Sequence, residues 1–266
     1  MSAAGSRAAM NALVLAASRR GADDPVAALQ GKSHKCLVEI GGEAMIERVV
    51  RVLLDSGRFR RILISIESEE VLRGLDTARQ WLDEGIVEVI PSAGNMADSV
   101  LKLAAHIDGL LPLVVTTADN ALHTPALIRD FTAALESSRC DAVAGVTPEQ
   151  VVLAEFPQGG FGFFRFRDGG YSFCNLYGLR SARALDAARI FRSGGQFRKR
   201  PWRILRVFGV ANLILYRFRL VTLAGCFRRI SRNLGIDIGT VELLYGFAPV
   251  DVDDARTLEI AERRLG

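Results

Sequence analysis

The chain has 266 residues, of which 49% are hydrophobic and 24% are charged, so it can bury a sizeable core and has the composition of an ordinary globular protein. Its four cysteines lie far apart without a C-x-x-C pair, which excludes a disulfide framework and a clustered zinc site. The net charge is a modest +4, and three arginines interrupt the longest apolar region, residues 204–227, which argues against a membrane-spanning helix.

Five apolar runs of strand length alternate with helical patterns over the first part of the chain. The runs cover residues 12–17, 61–67, 86–90, 111–118 and 141–147. Near-continuous apolar strands that alternate with helices are typical of a parallel sheet covered on both faces. We therefore predict a mostly parallel, doubly wound, Rossmann-like α/β fold, in which ligands bind at the carboxyl ends of the strands.

The segments between these runs carry apolar residues at helical spacing. Residues 43–57 end on Gly57, a typical helix stop, after an apolar face formed by Met45, Ile46, Val49, Val50 and Leu53. Similar patterns predict helices over residues 98–108 and 124–138. Residues 156–179 are rich in glycine and aromatic residues and predict short antiparallel strands, and residues 235–266 predict a strand, a loop and a terminal helix.

The loop after the first strand is rich in cations and small residues. Residues 16–18 offer backbone N–H groups, and Arg19, Arg20, Lys32 and Lys35 follow them. Amides and cations at the end of a buried strand are suited to a polyphosphate. Because the loop has neither a Walker sequence nor a G-x-G-x-x-G fingerprint, both phosphate binding and an ordinary solvated loop stay open.

Acidic residues occur at two places that suit a metal site. Asp119 follows an apolar and hydroxyl-bearing run at the carboxyl end of a predicted strand, where a carboxylate can hold Mg²⁺ against a phosphate. Taken alone, Asp119 is more typical of a turn or a helix cap. Asp251, Asp253 and Asp254 directly precede the terminal helix. One of these three could be a second metal ligand, and Asp253 or Asp254 is expected to cap the helix.

Five short motifs follow one another along nearly the whole chain: "LVLAASRRG", "HKCLVEIGGEAMIERVV", "SAGNMADSVLKLAA", "TTADN" and "DVDDARTLEIAE". In this order they resemble the NTP-transferase family of the molybdenum-cofactor type, which includes the sugar- and polyol-phosphate cytidylyltransferases. The resemblance implies one nucleotidyltransferase domain over residues 1–266. Residues 1–148 would form its nucleotide-binding half, and residues 149–240 a small β-rich and helical elaboration on the acceptor side.

The resemblance also implies an activity, the Mg²⁺-dependent joining of an NTP to a phosphorylated acceptor with release of pyrophosphate. It assigns catalytic roles to Lys35, which would bind the NTP phosphates, and to Asp119, which would bind the metal together with Asp253. The acceptor, a small molecule or a lipid precursor, would contact Asn175. The residues implied in nucleotide binding are Leu15, Ala16, Ala17, Ser18, Arg19, Arg20, Lys35, Ala93, Gly94 and Ser99.

The chain departs from the family pattern at two places. Ala17 and Ser18 stand where the family has more glycine, so the path of the first loop can differ. An arginine common in the base-reading segment of cytidylyltransferases is Met96 here. CTP is the first expectation because Ser99 and its surroundings are kept, and GTP and ATP stay open.

Positive charge is concentrated in residues 187–236, which contain twelve Lys or Arg and no Asp or Glu. The partner of this segment should therefore be anionic. A helix from Trp202 to Phe218 would bring Arg203, Arg206 and Arg217 onto one side. Such a basic stripe on an apolar helix could pack in a core, form a homodimer interface or lie on an anionic membrane surface.

Two classes of function compete on these residues. The first is the nucleotidyltransferase, and the second is a non-catalytic or regulatory module that binds a nucleotide or an anionic lipid. The pair Asp119 and Asp253 favours the enzyme, because binding alone does not need two metal ligands. Nucleic-acid binding is not expected, since the aromatic residues of the basic segment show no stacking pattern. We expect a cytoplasmic protein, with or without peripheral contact at the inner membrane face.

Overall fold

The computed structural model describes residues 10–18, 20–93, 96–185 and 209–266, except for the side chains of residues 96, 105 and 106. The strands in chain order are β1 (Met10–Leu15), β2 (Glu39–Ile40), β3 (Glu43–Ala44), β4 (Phe59–Ile66), β5 (Val87–Pro91), β6 (Leu113–Thr117), β7 (Ala142–Pro148), β8 (Phe164–Phe166), β9 (Gly169–Leu179) and β10 (Ile238–Glu242). The α-helices that lie wholly within the described residues are α1 (Pro25–Leu29), α2 (Met45–Ser56), α3 (Glu70–Arg73), α4 (Asp76–Asp83), α5 (Met96–His106), α6 (Pro125–Ser137), α7 (Glu149–Glu155), α8 (Val210–Arg217), α9 (Leu223–Leu234) and α10 (Ala255–Leu265).

The first of two compact units comprises residues up to 92, residues 109–132 and residues 250–266. Its main strands have the order β5-β4-β1-β6, and all of these pairings are parallel. The central strand β1 is buried over nearly its whole length, as expected for a parallel strand covered on both faces. The predicted α/β class with a mostly parallel sheet is therefore confirmed.

Helix α2 shows how the sequence pattern becomes packing in this unit. The five apolar residues predicted to share one face are all buried in the structure. The helix ends where the sequence predicts, because Gly57 adopts a φ of +68° and its N–H group bonds to the carbonyl of Leu54. Burying five such side chains stabilises the unit by roughly 1.5–3 kcal/mol for each large one.

The second unit comprises residues 93–108 and residues 133–249. In it β7 pairs with β10 in parallel and with β9 in antiparallel orientation, and β8 pairs with β9 as a short antiparallel strand. The antiparallel strands predicted for this glycine- and aromatic-rich part are therefore confirmed. The predicted order of strand, loop and terminal helix after residue 235 is confirmed as well, by β10 in this unit and α10 in the first.

The prediction of one continuous helix from Trp202 to Phe218 is wrong in its described part. Helix α8 begins only at Val210, because Gly209 before it has a φ of +76° and a ψ of 142°, which no helix residue adopts. Arg217 therefore lies on a short separate helix. Arg203 and Arg206, the other two members of the predicted stripe, lie outside the described residues.

Part of the basic, apolar segment packs in the core of the second unit. Val221, Leu223, Cys226 and Ile230 are buried in one cluster, and the side chain of Thr222 caps the start of α9 by accepting a hydrogen bond from the Gly225 N–H group. In the part of the chain that the structure describes, no helix combines the length and apolarity needed to cross a membrane.

Candidate active site

The candidate site is built where β1 and β6 end in the first unit. The N–H group of Ala118 donates to the carbonyl of Leu15 at 3.0 Å, so the ends of the two strands lie side by side. Two residues beyond β6, the carbonyl of Asp119 accepts a hydrogen bond of 3.1 Å from the Val252 N–H group. This contact brings the segment before α10 to the carboxyl end of the parallel strands, where ligands bind in such sheets.

Three carboxylates converge at this point. One oxygen from each of Asp119, Asp251 and Asp253 lies within 4.8 Å of the others. Asp119 and Asp251 are partly buried and Asp253 is exposed. Burial, together with the charges of Asp253 and Asp119, raises the pKa of Asp251 above its ordinary value. The cluster thus has an excess of negative charge that favours a cation.

Lys35 reaches the same cluster from a 3-10 turn that spans Lys35–Leu37. Its Nζ donates to Asp119 Oδ2 at 2.6 Å and also contacts Asp253 Oδ1. Burial lowers the pKa of Lys35, but the two carboxylates outweigh that effect and raise it above its ordinary value. The ammonium group is therefore charged and lies between two of the three aspartates.

A hydroxyl group holds the orientation of Asp119. Thr117 Oγ1 lies 2.5 Å from Asp119 Oδ1 and 2.5 Å from Asn120 Oδ1, and its single proton can be donated to only one of them. The carboxylate is the stronger acceptor because it is charged, so we assign the proton to Asp119, and with Lys35 on its other oxygen both oxygens of Asp119 have a partner. A carboxylate fixed in this way is suited to bind a ligand without first reorganising.

The chemistry of the cluster fits a divalent cation. Three carboxylates supply hard oxygen ligands, the type that Mg²⁺ takes in proteins. Burial is the main cause of the raised pKa of Asp251, and the charges of Asp253 and Asp119 add to it more than Lys35 offsets. Of the predicted metal ligands, the structure brings Asp119 and Asp253 together and adds Asp251.

Asp251 was not selected from the sequence, although a signal was present. Residues two apart in an extended segment point to the same side, so the pattern Asp251-Val252-Asp253 places both carboxylates on one side of the chain. The third acid of the segment has a different role. Asp254 forms a capping box with Thr257 at the start of α10, which is the helix-capping role that the sequence predicted for one of the acids.

The loop after β1 is anchored to the end of β4. The Ala16 N–H group donates to the Ser65 carbonyl at 2.9 Å, and the Ser18 N–H group donates to Glu67 Oε1 at 2.7 Å. Ala17 and Arg20 are exposed, and Arg19 lies outside the described residues. One backbone amide of the predicted phosphate loop therefore already binds an anionic oxygen.

Glu67 is a second residue that sequence reasoning missed. Besides the amide of Ser18, its carboxylate lies 3.8 Å from His34 Nε2. The adjacency of β1 and β4 brings Glu67 to the loop, and the sequence does not specify which strands are neighbours. The carboxylate therefore neutralises part of a loop that was predicted to be cationic.

The remaining predicted site residues belong to the second unit. Ser99 is buried on α5, and its Oγ accepts a 3.2 Å hydrogen bond from the Ala93 N–H group, while Gly94 lies outside the described residues. Asn175 lies in β9 with a φ of +49°. The roles of these residues in base and acceptor binding stay predictions.

Asn175 occupies an irregular part of the strand. Ala144 pairs with Tyr177 and Val146 with Phe173, so one residue of β7 lies opposite three residues of β9. Such bulges change the direction of a side chain and are frequent near binding sites. A positive φ at a residue other than glycine is also a form of strain that functional sites tend to keep.

Comparison with known sequences gives a match over most of the chain. Residues 12–205 match the family described as the MobA-like NTP transferase domain. A curated relative, the 2-C-methyl-D-erythritol 4-phosphate cytidylyltransferase of Saccharopolyspora erythraea, is 29% identical over 130 residues. That alignment covers 47% of this chain and 57% of the relative, so the chain spans little more than half the length of the curated relative that it matches.

Solved structures share the fold. A hypothetical transferase from Thermus thermophilus has a TM-score of 0.75 and 24% identity, with 94% of this chain and 99% of that chain covered. The CMP:2-keto-3-deoxy-manno-octonic acid synthetase complexed with CTP has a TM-score of 0.58 and 12% identity, with 96% and 98% covered. At these identities the likeness concerns the fold, and it agrees with the predicted Rossmann-like class.

Proposed function

Because the chain belongs to the MobA-like NTP transferase domain family, we propose that it is a nucleotidyltransferase that joins an NTP to a phosphorylated acceptor and releases pyrophosphate. The observation that carries this proposal is the convergence of Lys35 with Asp119, Asp251 and Asp253 at the carboxyl ends of β1 and β6. A protein that only bound a nucleotide would not need a lysine and three carboxylates in one cluster.

The proposed reaction is an in-line displacement at the α-phosphorus of the NTP. An oxygen of the acceptor phosphate forms the new bond to that phosphorus, and the bond to the oxygen that bridges to the β-phosphate breaks. Pyrophosphate leaves with that oxygen. No general base is needed, because the acceptor phosphate is already an anionic nucleophile.

The residues of the cluster and Thr117 would have different roles in stabilising charge. Asp119, Asp251 and Asp253 would hold Mg²⁺, which when bound supplies positive charge to the reacting phosphates. Lys35 adds a fixed ammonium group for the NTP phosphates, since charge-assisted hydrogen bonds to phosphate are strong in a partly dry site. Thr117 keeps the Asp119 carboxylate in place and is a positioning residue.

The rest of the NTP is assigned to the loop and to the base-reading segment. We propose that residues 15–20 bind the phosphates and that Ala93, Gly94 and Ser99 contact the base. CTP is the proposed nucleotide, supported by the cytidylyltransferase name of the curated relative and by the CTP bound in a structure of the same fold. Asn175 is the proposed contact of the acceptor, supported by its strained backbone.

We retain the division into a nucleotide-binding half, residues 1–148, and an acceptor side, residues 149–240, as part of the proposal. A reaction that consumes an NTP and a phosphorylated metabolite is most simply placed in the cytoplasm, where both occur. The proposed acceptor is a phosphorylated small molecule, by analogy with the polyol phosphate, 2-C-methyl-D-erythritol 4-phosphate, in the name of the curated relative.

A pyrophosphate-release assay tests the proposal. The purified chain is incubated with each of the four NTPs, a panel of phosphorylated sugars, polyols and lipid precursors, and Mg²⁺. We expect release with CTP and at least one acceptor, and none after the metal is chelated. If nucleotide binds in calorimetry but no combination releases pyrophosphate, the chain is a binding module and the proposal is wrong.

A further inference from the structure

The second unit contains a wide cavity of about 890 Å³ beside the amino ends of β7 and β10. Its size falls within the range of known ligand sites. The lining includes a single acid, Asp237, among the described residues. The cationic residues of the lining are Arg139, Arg167, Arg228, Arg229 and Arg232.

These five arginines have no ion pair with any residue that the structure describes. Arg228, Arg229 and Arg232 lie within five residues of α9, so their charges repel one another at close range. Folded proteins rarely place five cationic side chains around one cavity without a nearby anionic group. The anionic group that balances these arginines must therefore lie outside the described part of the chain. The cavity therefore favours an anionic occupant.

Exposed apolar side chains border the same arginines. Val210, Ile214 and Phe218 are 57%, 52% and 66% exposed and follow one another at intervals of four, so they share one side of α8 and its end. Leu220 is 58% exposed. Among the described residues, four of the eight exposed large hydrophobic side chains thus fall within residues 210–220, which is a cluster and not scatter.

The apolar cluster and the arginines are continuous. Leu220 lines the wide cavity together with the arginines of α9. Val210 lines a second, smaller hollow of about 370 Å³ that includes Arg229 and Arg232. Val210 and Leu220 therefore adjoin the arginines, and Ile214 and Phe218 extend the apolar part from Val210 along α8 and its end. The five arginines and these four apolar residues are called the docking face below.

We propose that the docking face binds an anionic phospholipid surface. A bilayer offers phosphate groups and an acyl boundary within a few ångströms of each other, which matches a surface that combines uncompensated arginines with exposed Val, Ile, Phe and Leu. The apolar side chains enter the interface, and the arginines bind lipid phosphates. The proposal does not rest on nucleotidyl transfer and is tested without NTP.

Charge argues against two other possible occupants of the docking face, a second copy of the chain and residues 187–208 of the same chain. A second copy that covered the face symmetrically would place arginines against arginines. Residues 187–208 of the same chain carry seven Lys or Arg and no acid, so they have the same sign as the cavity and cannot neutralise it. Only an occupant that is both anionic and apolar complements the whole docking face.

Vesicle binding of the full chain tests the proposal. Vesicles of phosphatidylcholine alone and of phosphatidylcholine mixed with phosphatidylglycerol are sedimented with the protein at increasing NaCl. We expect binding only to the mixed vesicles and a decrease with salt. Since each arginine near such a surface contributes roughly a fivefold change in partitioning, the double variant Arg228→Gln, Arg232→Gln should bind about twenty-five-fold more weakly.

Further variants separate the two parts of the docking face. Phe218→Ser should weaken binding to the mixed vesicles without changing its salt dependence, because it removes apolar contact and no charge. The matched control Arg79→Gln, Arg263→Gln removes the same charge from exposed ion pairs of the first unit and should bind as the wild type does. Equal loss in this control would overturn the proposal, because the effect would then follow net charge alone.

Three other outcomes also overturn it. The first is failure of the wild-type chain to bind the mixed vesicles at low salt. The second is a rise in the wild-type melting temperature with inorganic phosphate that the arginine double variant lacks, without vesicle binding, which would assign the cavity to a soluble phosphorylated ligand. The third is a change of oligomeric state in Phe218→Ser, again without vesicle binding, which would assign the face to a second copy of the chain.

Discussion

In the first unit Lys35 lies against Asp119 and Asp253, whereas the five arginines of the docking face have no ion pair with a described residue. Both regions concentrate charge of one sign. The acidic cluster contains its own counter-ion and is therefore ordered before a ligand arrives. The docking face has none, so its charge is balanced only when an external anion is present. An internal counter-ion thus suits a site that needs fixed geometry, whereas uncompensated charge suits a surface that attracts an external partner.

Removing a carboxylate from the acidic cluster should have the largest effect, which is on turnover. Asp119→Asn keeps the shape of the side chain but removes the charge that binds metal and Lys35. We expect turnover in the pyrophosphate assay to fall on the order of 10²–10³-fold, with a nearly unchanged melting temperature. The control Asp254→Asn makes the same chemical change at the cap of α10, where Asn is an equally good cap, and should keep full activity. Full activity in Asp119→Asn would remove this residue from the mechanism.

Lys35→Ala removes the internal counter-ion of the acidic cluster and therefore tests directly whether Lys35 compensates its charge. NTP affinity should fall about tenfold to a hundredfold, because a hydrogen bond to a charged group is lost. Divalent-metal affinity without NTP should rise, since three carboxylates are left without an ammonium group. Calorimetry with Mg²⁺ and with NTP measures both. Lys32→Ala, which removes a lysine paired with Glu39, serves as the control, and a fall in metal affinity in Lys35→Ala would contradict the interpretation.

Glu67→Gln should have a smaller and opposite effect. The Gln oxygen can still accept from the Ser18 amide, but the negative charge near the proposed polyphosphate disappears. We expect the KM for NTP to fall about fivefold, from roughly 1 kcal/mol of relieved repulsion. Glu69→Gln, a nearby carboxylate that pairs with Arg73, should leave the KM unchanged. A higher KM in Glu67→Gln would show that the carboxylate itself contributes to the bound state.

Arginine substitutions in the docking face should have the smallest effect, which is on the free energy of unfolding. Arg228→Gln, Arg232→Gln breaks no ion pair with a described residue, so we expect the free energy of unfolding in low salt to stay equal or to rise by roughly a few tenths of a kcal/mol. NaCl should stabilise the wild type more than this variant, because it screens repulsion that the variant lacks. Urea titrations at two salt concentrations measure the difference. A loss above about 1 kcal/mol would reveal an internal partner of these arginines.

The sequence predicts best those elements of the fold whose formation depends on one dominant physical effect. Strands such as β1 and β6 are buried on both faces, so they appear as continuous apolar runs that few other elements imitate. The end of α2 was predicted because Gly57 is free to adopt a positive φ. Helices α3 and α4, over residues 70–83, were missed because their composition is mostly polar and only Leu72, Ala78 and Trp81 are buried.

The site was predicted where a residue is fixed by its own strand end, and missed where it depends on a neighbouring strand or segment. Asp119 falls into the first class. Lys35 lies on a 3-10 turn and not at a strand end, and its role was implied by the order of the motifs. Glu67 depends on the pairing of β1 with β4, which the sequence does not state. A continuous helix after Trp202, which the apolar period favours, does not include Gly209, because this residue has a positive φ that only glycine adopts readily.

The left-handed backbone of Asn175 limits which residues can replace it. At a φ of +49°, glycine, Asn and Asp are tolerated far better than other side chains. Selection on the strand alone would therefore keep a short list of residues at this position, whatever the acceptor is. Glycine adopts this conformation without strain, so Asn175→Gly tests the proposed acceptor contact without imposing a backbone conformation that the new residue resists.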